Sequence, residues 1–305
     1  MTLPELNRLF STDDDCREIL TRLRWPEGVT CPRCQNRNVW WVESRKQFTC
    51  SECSYQFSVT TGTIFNDSHL PLPSWFMAVL LLVEARKGMS ANQVKRTIGV
   101  SYKTAWYLCH RIRAAMKEAD TSMLDGTVEM DETYVGGKKR GIGSKAAKEA
   151  KEIVIGIRQR GGDLRFFHAE DAKSGTLAKY IRENVSTDVE VLITDTYPAY
   201  KYAVGDAAHK TVNHLAKEYV RYEDGACVTT NTVESAFSLL KRGIMGTWHK
   251  ISAKHLPAYL NEMTFRFNRR KNSDLFIDTL RHMVTASTLT FEKLTAEKPS
   301  AQLSA

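Results

Sequence analysis

Cys31-Pro32-Arg33-Cys34 and Cys50-Ser51-Glu52-Cys53 constrain this chain more than any other feature. Fifteen residues separate the two pairs, a spacing that lets four thiolates share one zinc ion. Between them Val39, Trp40 and Val42, and then Gln47 to Thr49, read as short strands around a polar turn at Glu43 to Lys46. A module this small cannot bury a core of its own, so the metal has to supply much of the folding energy. A redox pair or a disulfide scaffold is the competing reading, but four regularly spaced thiols with no secretory signal fit a reducing compartment better. Cys16, Cys109 and Cys227 show no metal spacing, and the first two sit in helical apolar patterns as buried thiols.

The segments around this ribbon read as helices. Ser11 to Asp14 resembles a cap, and Cys16, Ile19, Leu20 and Leu23 form an amphipathic stripe that stops at Trp25-Pro26. Pro73-Ser74 opens an apolar helix, Trp75 to Val83, which is too short to span a bilayer. Ser90 then caps a helix through Val94 and Ile98, Gly99-Val100 makes a turn, and Ser101 caps a second helix from Tyr102 to Met116. Lys103, Arg111 and Arg113 lie on that second helix, with Lys117 just beyond it. The pattern predicts a helix-turn-helix whose second member suits a major groove, with a plain packed helical corner as the alternative.

The charge balance agrees with a polyanionic partner. Among 305 residues, 43 Lys and Arg face 35 acids, a net charge of +8. The excess gathers at Lys138-Lys139-Arg140, Lys145 to Lys151, Lys241-Arg242 and Arg266 to Lys271. No stretch reads as a signal peptide or membrane span, so a cytoplasmic, nucleoid-associated protein without membrane partners is expected.

From about Gly126 the pattern becomes α/β. Strands are predicted at Thr127 to Val135, Glu152 to Gln159 and Asp163 to Ala169, then a helix from Gly175 to Glu183 and a strand that ends at Asp195. In that last strand Val189, Val191, Leu192 and Ile193 form the near-continuous apolar run of a strand covered on both faces, where an ionised Asp needs a cation or hydrogen bonds. In the first strand, alternation sets Glu129 and Asp131 on one face and Val128, Met130 and Glu132 on the other, which makes Asp131 the metal-facing candidate. Val233, Phe237 and Leu240 make a helical stripe; Glu234 falls in the first turn behind Thr230 or Asn231, and Lys241 lies on its edge two turns on. Asp131, Asp195 and Glu234 together suit two Mg²⁺ or Mn²⁺ ions against a phosphodiester, with Lys241 holding a phosphate as a point charge. Three meandering strands, a helix and an acid-bearing strand are the order of a ribonuclease-H-like core. Gly136 to Lys151 reads as a Gly/Lys-rich excursion, either a disordered tip or a DNA-contacting loop, and the tail beyond Leu289 as loose.

Several motifs carry a resemblance. Arg24 to Val29 precedes the first cysteine pair; Asp131-Glu132-Thr133-Tyr134-Val135-Gly136-Gly137 and Thr194-Asp195-Thr196-Tyr197 follow. Further on stand Thr230-Asn231-Thr232-Val233-Glu234-Ser235, Leu240-Lys241-Arg242-Gly243 and Gly246-Thr247-Trp248-His249. From about Leu20 to Lys271 the chain resembles the Merlin-like insertion-sequence transposases, which join a zinc ribbon to a ribonuclease-H-like DDE core. The resemblance implies DNA cleavage and strand transfer at element ends, divalent metal on the two Asp residues and a late helical acid, and a homo-oligomeric synaptic complex. Glu234 is the expected third ligand and Asn231 the alternative. Relatives often carry a His just before the Thr-Asn-Thr-Val-Glu run, where this chain has Cys227 to Thr230; His214 is the remaining candidate for that auxiliary role.

The expected fold class is therefore multidomain α/β. It comprises an N-terminal helical arm (1–28), a zinc ribbon (29–65), a helix-turn-helix region (70–118), a ribonuclease-H-like catalytic core (124–275) and a C-terminal helix with a tail (276–305). Lys103, Arg111, Arg113, Arg242, Trp248, His249, Arg269 and Arg270 are the expected contacts to double-stranded DNA. Two rivals remain: a nuclease or resolvase that cuts without joining, and a non-catalytic DNA-binding regulator.

Overall fold

The computed structural model describes residues 1–118, 122–136, 151–223 and 225–296. The chain forms two compact units, Met1–Lys117 together with the segment from Arg270 onward, and Glu118–Arg269.

The first unit begins with α1 (Leu3–Leu9) and α2 (Asp13–Arg24), each started by a reciprocal capping box, Thr2 with Glu5 and Thr12 with Asp15. The ribbon follows as an antiparallel sheet of β1 (Val39–Val42), β2 (Gln47–Cys50) and β3 (Gln56–Phe57). Helix α3 (Leu72–Glu84) buries eight of its thirteen residues, as its nearly all-round apolar sequence requires. Helices α4 (Ala91–Ile98) and α5 (Tyr102–Ala115) are joined at Gly99, whose left-handed φ of 71° closes α4, while Ser90 and Ser101 cap the two N-termini. The outlines of this helix pair match the sequence expectation.

The C-terminal segment holds one more helix than the sequence pattern predicts. The expected C-terminal helix is α10 (Leu275–Thr285), and the first residues of the expected tail form a further short helix, α11 (Phe291–Thr295), both in this same unit. Phe276 meets Phe76 at 5.7 Å and Phe10 at 6.2 Å, and Phe291 stacks edge-on against Tyr107 at 5.5 Å. The aromatic stripe supplies the apolar area that a polar composition count hides. Arm and C-terminal helix thus share one core; residues 297–305 lie outside the described region.

The second unit is built on a five-stranded sheet of order β6-β5-β4-β7-β8. The central strand of the first three, β5 (Glu152–Gln159), pairs antiparallel with both β4 (Thr127–Val135) and β6 (Leu164–Ala169), whereas β7 (Val191–Asp195) and β8 (His209–Val212) run parallel to β4. On one face Val128, Met130, Ile155 and Leu192 pack beneath α6 (Ser174–Asn184) and α7 (Pro198–Ala203). On the other, Val154 and Phe166 meet Val233, Phe237 and Leu240 of α8 (Asn231–Gly243) and Leu260 and Met263 of α9 (Leu256–Asn268). The hairpin β9 (Arg221–Glu223) and β10 (Ala226–Val228) leads into α8. Of the Gly136 to Lys151 excursion, only its two end residues are described.

Candidate active site

The four ribbon thiols converge, with all sulfurs within 4.8 Å of one another. Sγ–Sγ separations are 3.6 Å for Cys31 to Cys53 and 3.5 Å for Cys34 to Cys50. A zinc tetrahedron with bonds near 2.3 Å has edges of about 3.8 Å, so the donor set fits the ion. The two pairs are built alike: Gln35 and Ser54 follow them in left-handed conformation, φ 61° and 54°, and return their N–H groups to Cys31 and Cys50 carbonyls. Trp25, Phe48, Tyr55 and Phe57 enclose the cluster.

The carboxylates meet by a different route. The parallel pairing of β4 with β7 ends at Glu129 and Ile193; Asp131 and Asp195 each lie two residues beyond that last pair, and the Asp195 charge acts on Asp131. Helix α8 reaches the same place because Asp131's antiparallel partner is Gly156. A Cβ there would lie 2.8 Å from Phe237 and 2.9 Å from Val233, so the missing side chain makes room for the helix that carries Glu234. Asp131, Glu234, Asn231 and Lys241 line one open groove of about 570 Å³.

Burial, the negative charges of Glu132, Asp195 and Glu234, and only one opposing bond, from the Glu132 N–H at 2.8 Å, push the Asp131 carboxyl from 3.8 up to about 8. The position is thus costly for an anion until a cation shares it. Asp195 Oδ1 accepts the Tyr197 N–H at 2.9 Å. Glu234 Oε1 accepts the Thr230 hydroxyl at 2.8 Å and lies 3.1 Å from His214 Nε2. Among the described residues, only the four cysteines bring three or more metal-binding groups within 4.8 Å, so the acids form a wider arrangement than one tightly chelated ion needs.

Strand alternation is obeyed. Glu132 turns to the opposite face, where the Tyr200 hydroxyl donates to it at 2.9 Å, and Glu129 shares the face of Asp131. Glu129 is fully buried and is held by Arg160 and by the first turn of α8, a pairing the sequence offered no means of anticipating.

The expected DNA contacts divide by burial. Lys103, Arg242, His249 and Arg270 are exposed. Arg111 and Arg113 are not, at 3% and 1% exposure. Arg111 donates to the Asn66 carbonyl at 2.6 Å and lies over Trp75, which makes it an internal packing cation rather than a groove contact. Trp248 is buried against Tyr259, ring centroids 5.0 Å apart, and closes the core under α8. Arg269 is ion-paired to Glu118 and stacked on Phe265, and Arg266 is buried beside Glu262. Positive sequence charge alone does not mark surface, because Arg111, Arg266 and Arg269 each have an internal acid, carbonyl or ring to meet.

Comparison with known proteins addresses both parts of the chain. Residues 123–268 match the ISXO2-like transposase domain, and residues 11–56 match the transposase zinc-ribbon domain. An uncharacterized protein in transposable element ISH50 of Halobacterium salinarum is 29% identical over 283 residues, covering 85% of this chain and 92% of the relative. With the sulfur geometry, the ribbon match supports a structural zinc ion. No helix among the described residues is long and apolar enough to cross a membrane. The chain is thus similar to transposases both in its cysteine-bearing ribbon and in the unit that gathers Asp131, Asp195 and Glu234.

Proposed function

We propose that this protein is a DDE transposase that binds the terminal inverted repeats of an insertion sequence and catalyses their cleavage and transfer. The observation that carries the reading is the approach of Asp195, the last residue of β7, and of Glu234, in the first turn of α8, to Asp131 in the middle of β4, close enough for both charges to raise its carboxyl. The strand order β6-β5-β4-β7-β8, three antiparallel strands followed by two parallel ones, supports a ribonuclease-H-like core. Assignment to the Merlin-like group rests on the motifs at Asp131 to Gly137 and Thr230 to Ser235.

Asp131, Asp195 and Glu234 would hold two Mg²⁺ or Mn²⁺ ions; the donors are hard oxygens, and the crowding that raises Asp131 is what a divalent cation relieves. When bound, such a pair activates a water or 3′ hydroxyl and stabilises the leaving oxygen. Glu234 is preferred to Asn231 as third ligand because it brings charge to the same helical turn. His214 and Thr230 orient its carboxylate through Oε1. Lys241, exposed on the groove wall, binds a backbone phosphate.

Duplex DNA is gripped by the ribbon and by a helix-turn-helix formed from α4 and α5. The exposed start of α5, Tyr102 and Lys103, presents to the groove, and Arg242, His249 and Arg270 add phosphate contacts. Two element ends must meet for joining, so the working form is a homo-oligomer acting in the bacterial cytoplasm on nucleoid DNA.

The decisive test is a joining assay with labelled element-end DNA, wild-type and Asp195→Asn protein, and metal or chelator. Metal-dependent cleavage and joined product, both lost in the variant, support the proposal. Cleavage without joining favours a nuclease, and binding without breakage favours a regulator.

A further inference from the structure

Glu129 has the position of a fourth metal acid: it lies on β4 two residues before Asp131, on the same face, and it is fully buried. Its oxygens are nonetheless spent on the protein. Oε2 accepts the Thr232 N–H at 2.9 Å, the Thr232 hydroxyl at 2.6 Å and the Val233 N–H at 3.0 Å. Oε1 accepts Arg160 Nε at 3.0 Å and Nη2 at 2.8 Å. Five donors leave no lone pair free for a cation.

The bonds to Thr232 and Val233 cap α8, whose own N-cap residue, Thr230, makes no side-chain cap bond. Arg160 extends the lock into the approach to α8, donating to the Cys227 carbonyl at 2.8 Å and the Thr229 carbonyl at 3.2 Å. One buried carboxylate therefore ties strand to helix at points two residues from Asp131 and two residues from Glu234.

We infer that Glu129 is a positioning residue that sets the separation of Asp131 and Glu234 by fastening the start of α8 to β4 directly at Thr232 and Val233 and, through Arg160, at the segment leading into the helix. The inference rests on the proposed metal role of those two acids. Glu129 touches no substrate; it acts by fixing where its neighbours stand, as the supporting groups around metal ligands do, whose loss costs about 10- to 100-fold in metal affinity or activity.

Glu129→Gln keeps the volume but presents an amide N–H₂ to either Arg160 or the α8 amides, so one half of the lock turns repulsive. The test is Mn²⁺ titration of the full-length protein bound to element-end DNA, followed by calorimetry and by cleavage rate, with thermal melting as a check on folding. A folded Glu129→Gln protein is expected to need about 10-fold or more Mn²⁺ for half-saturation while its DNA affinity stays within about twofold of wild type. Thr232→Val removes only the hydroxyl bond and is expected to shift Mn²⁺ half-saturation the same way by less, which decides the matter should Glu129→Gln not fold. Wild-type Mn²⁺ dependence in whichever of these variants folds overturns the inference. Asp195→Asn run alongside separates the two levels: if it too binds Mn²⁺ and cleaves like wild type, the metal role of the acids fails, not merely the lock.

Discussion

The cysteine cluster of the ribbon and the proposed metal-binding acids are assembled in opposite ways. The thiols come from two short knuckles within 23 residues of sequence, each closed by its own left-handed residue, Gln35 or Ser54, so the cluster is a local object. The carboxylates come from Asp131, Asp195 and Glu234, more than 100 residues apart end to end, and are held by a parallel strand register, a missing side chain at Gly156 and the buried anchor at Glu129. A local cluster can use its metal to fold, whereas a distant one must be folded before any metal arrives. Ligand chemistry follows the same division: soft thiolates suit a permanent zinc, while hard and mutually repelling acids suit ions that come and go with substrate.

The sharpest attack on this contrast is removal of a thiol. Cys50→Ser is expected to abolish bound zinc by elemental analysis and to melt the ribbon, because structural zinc contributes on the order of 10 kcal/mol to such modules. Restored folding on adding Mg²⁺ instead of zinc would contradict the comparison. Next in size, Asp195→Asn is expected to cut strand cleavage on the order of 10³-fold, about 4 kcal/mol of barrier, with zinc content and melting temperature nearly unchanged. A loss of zinc or fold in that variant would mean that the clusters are not independent.

A smaller effect appears without divalent metal. Asp131 is raised from 3.8 to about 8, so the folded, metal-free protein keeps a proton that the unfolded chain releases; its contribution to stability is present below about pH 4 and lost as pH rises through 8. Asp131→Asn removes that pH penalty. In a chelator too weak to strip the ribbon zinc, the variant should melt at least about 2 °C above wild type at pH 8.5, the shift given by roughly 1 kcal/mol, and the gap should close toward pH 5. A constant gap across that range would show that Asp131 does not titrate there.

The smallest expected change separates cations by burial. Lys103→Ala should lower the salt slope of DNA binding by about one unit and move stability by no more than about 0.5–1 kcal/mol, the worth of its exposed cation–π contact with Phe291. Arg111→Ala should do the reverse, lowering the melting temperature through lost contact with Trp75 and the Asn66 carbonyl while leaving the slope alone.

What could be read before folding was local. The CxxC pairs, the serine caps at Ser90 and Ser101, the turn at Gly99 and the alternation that turned Glu132 away from Asp131 all depend on neighbours within a few residues, and each has its expected form. What misled was charge and polarity read as exposure. Arg111, Arg113 and Arg266 are buried, Trp248 packs inward, and Phe291, at the start of the segment that read as loose, packs against Tyr107 in the first unit.

By itself, then, the sequence determined which side chains could be ligands and which stretches were strands, knuckles or helices, because propensity, capping and periodicity act over one or two turns of chain. Tertiary structure alone decided that the charge of Asp195 reaches Asp131, that Glu234 shares a groove with Asp131, and that Glu129, on the strand face of Asp131, is consumed in holding α8. The reason is that a carboxylate's role depends on which donors reach it, and here those donors, Arg160 and the α8 amides, arrive from 31 or more residues away.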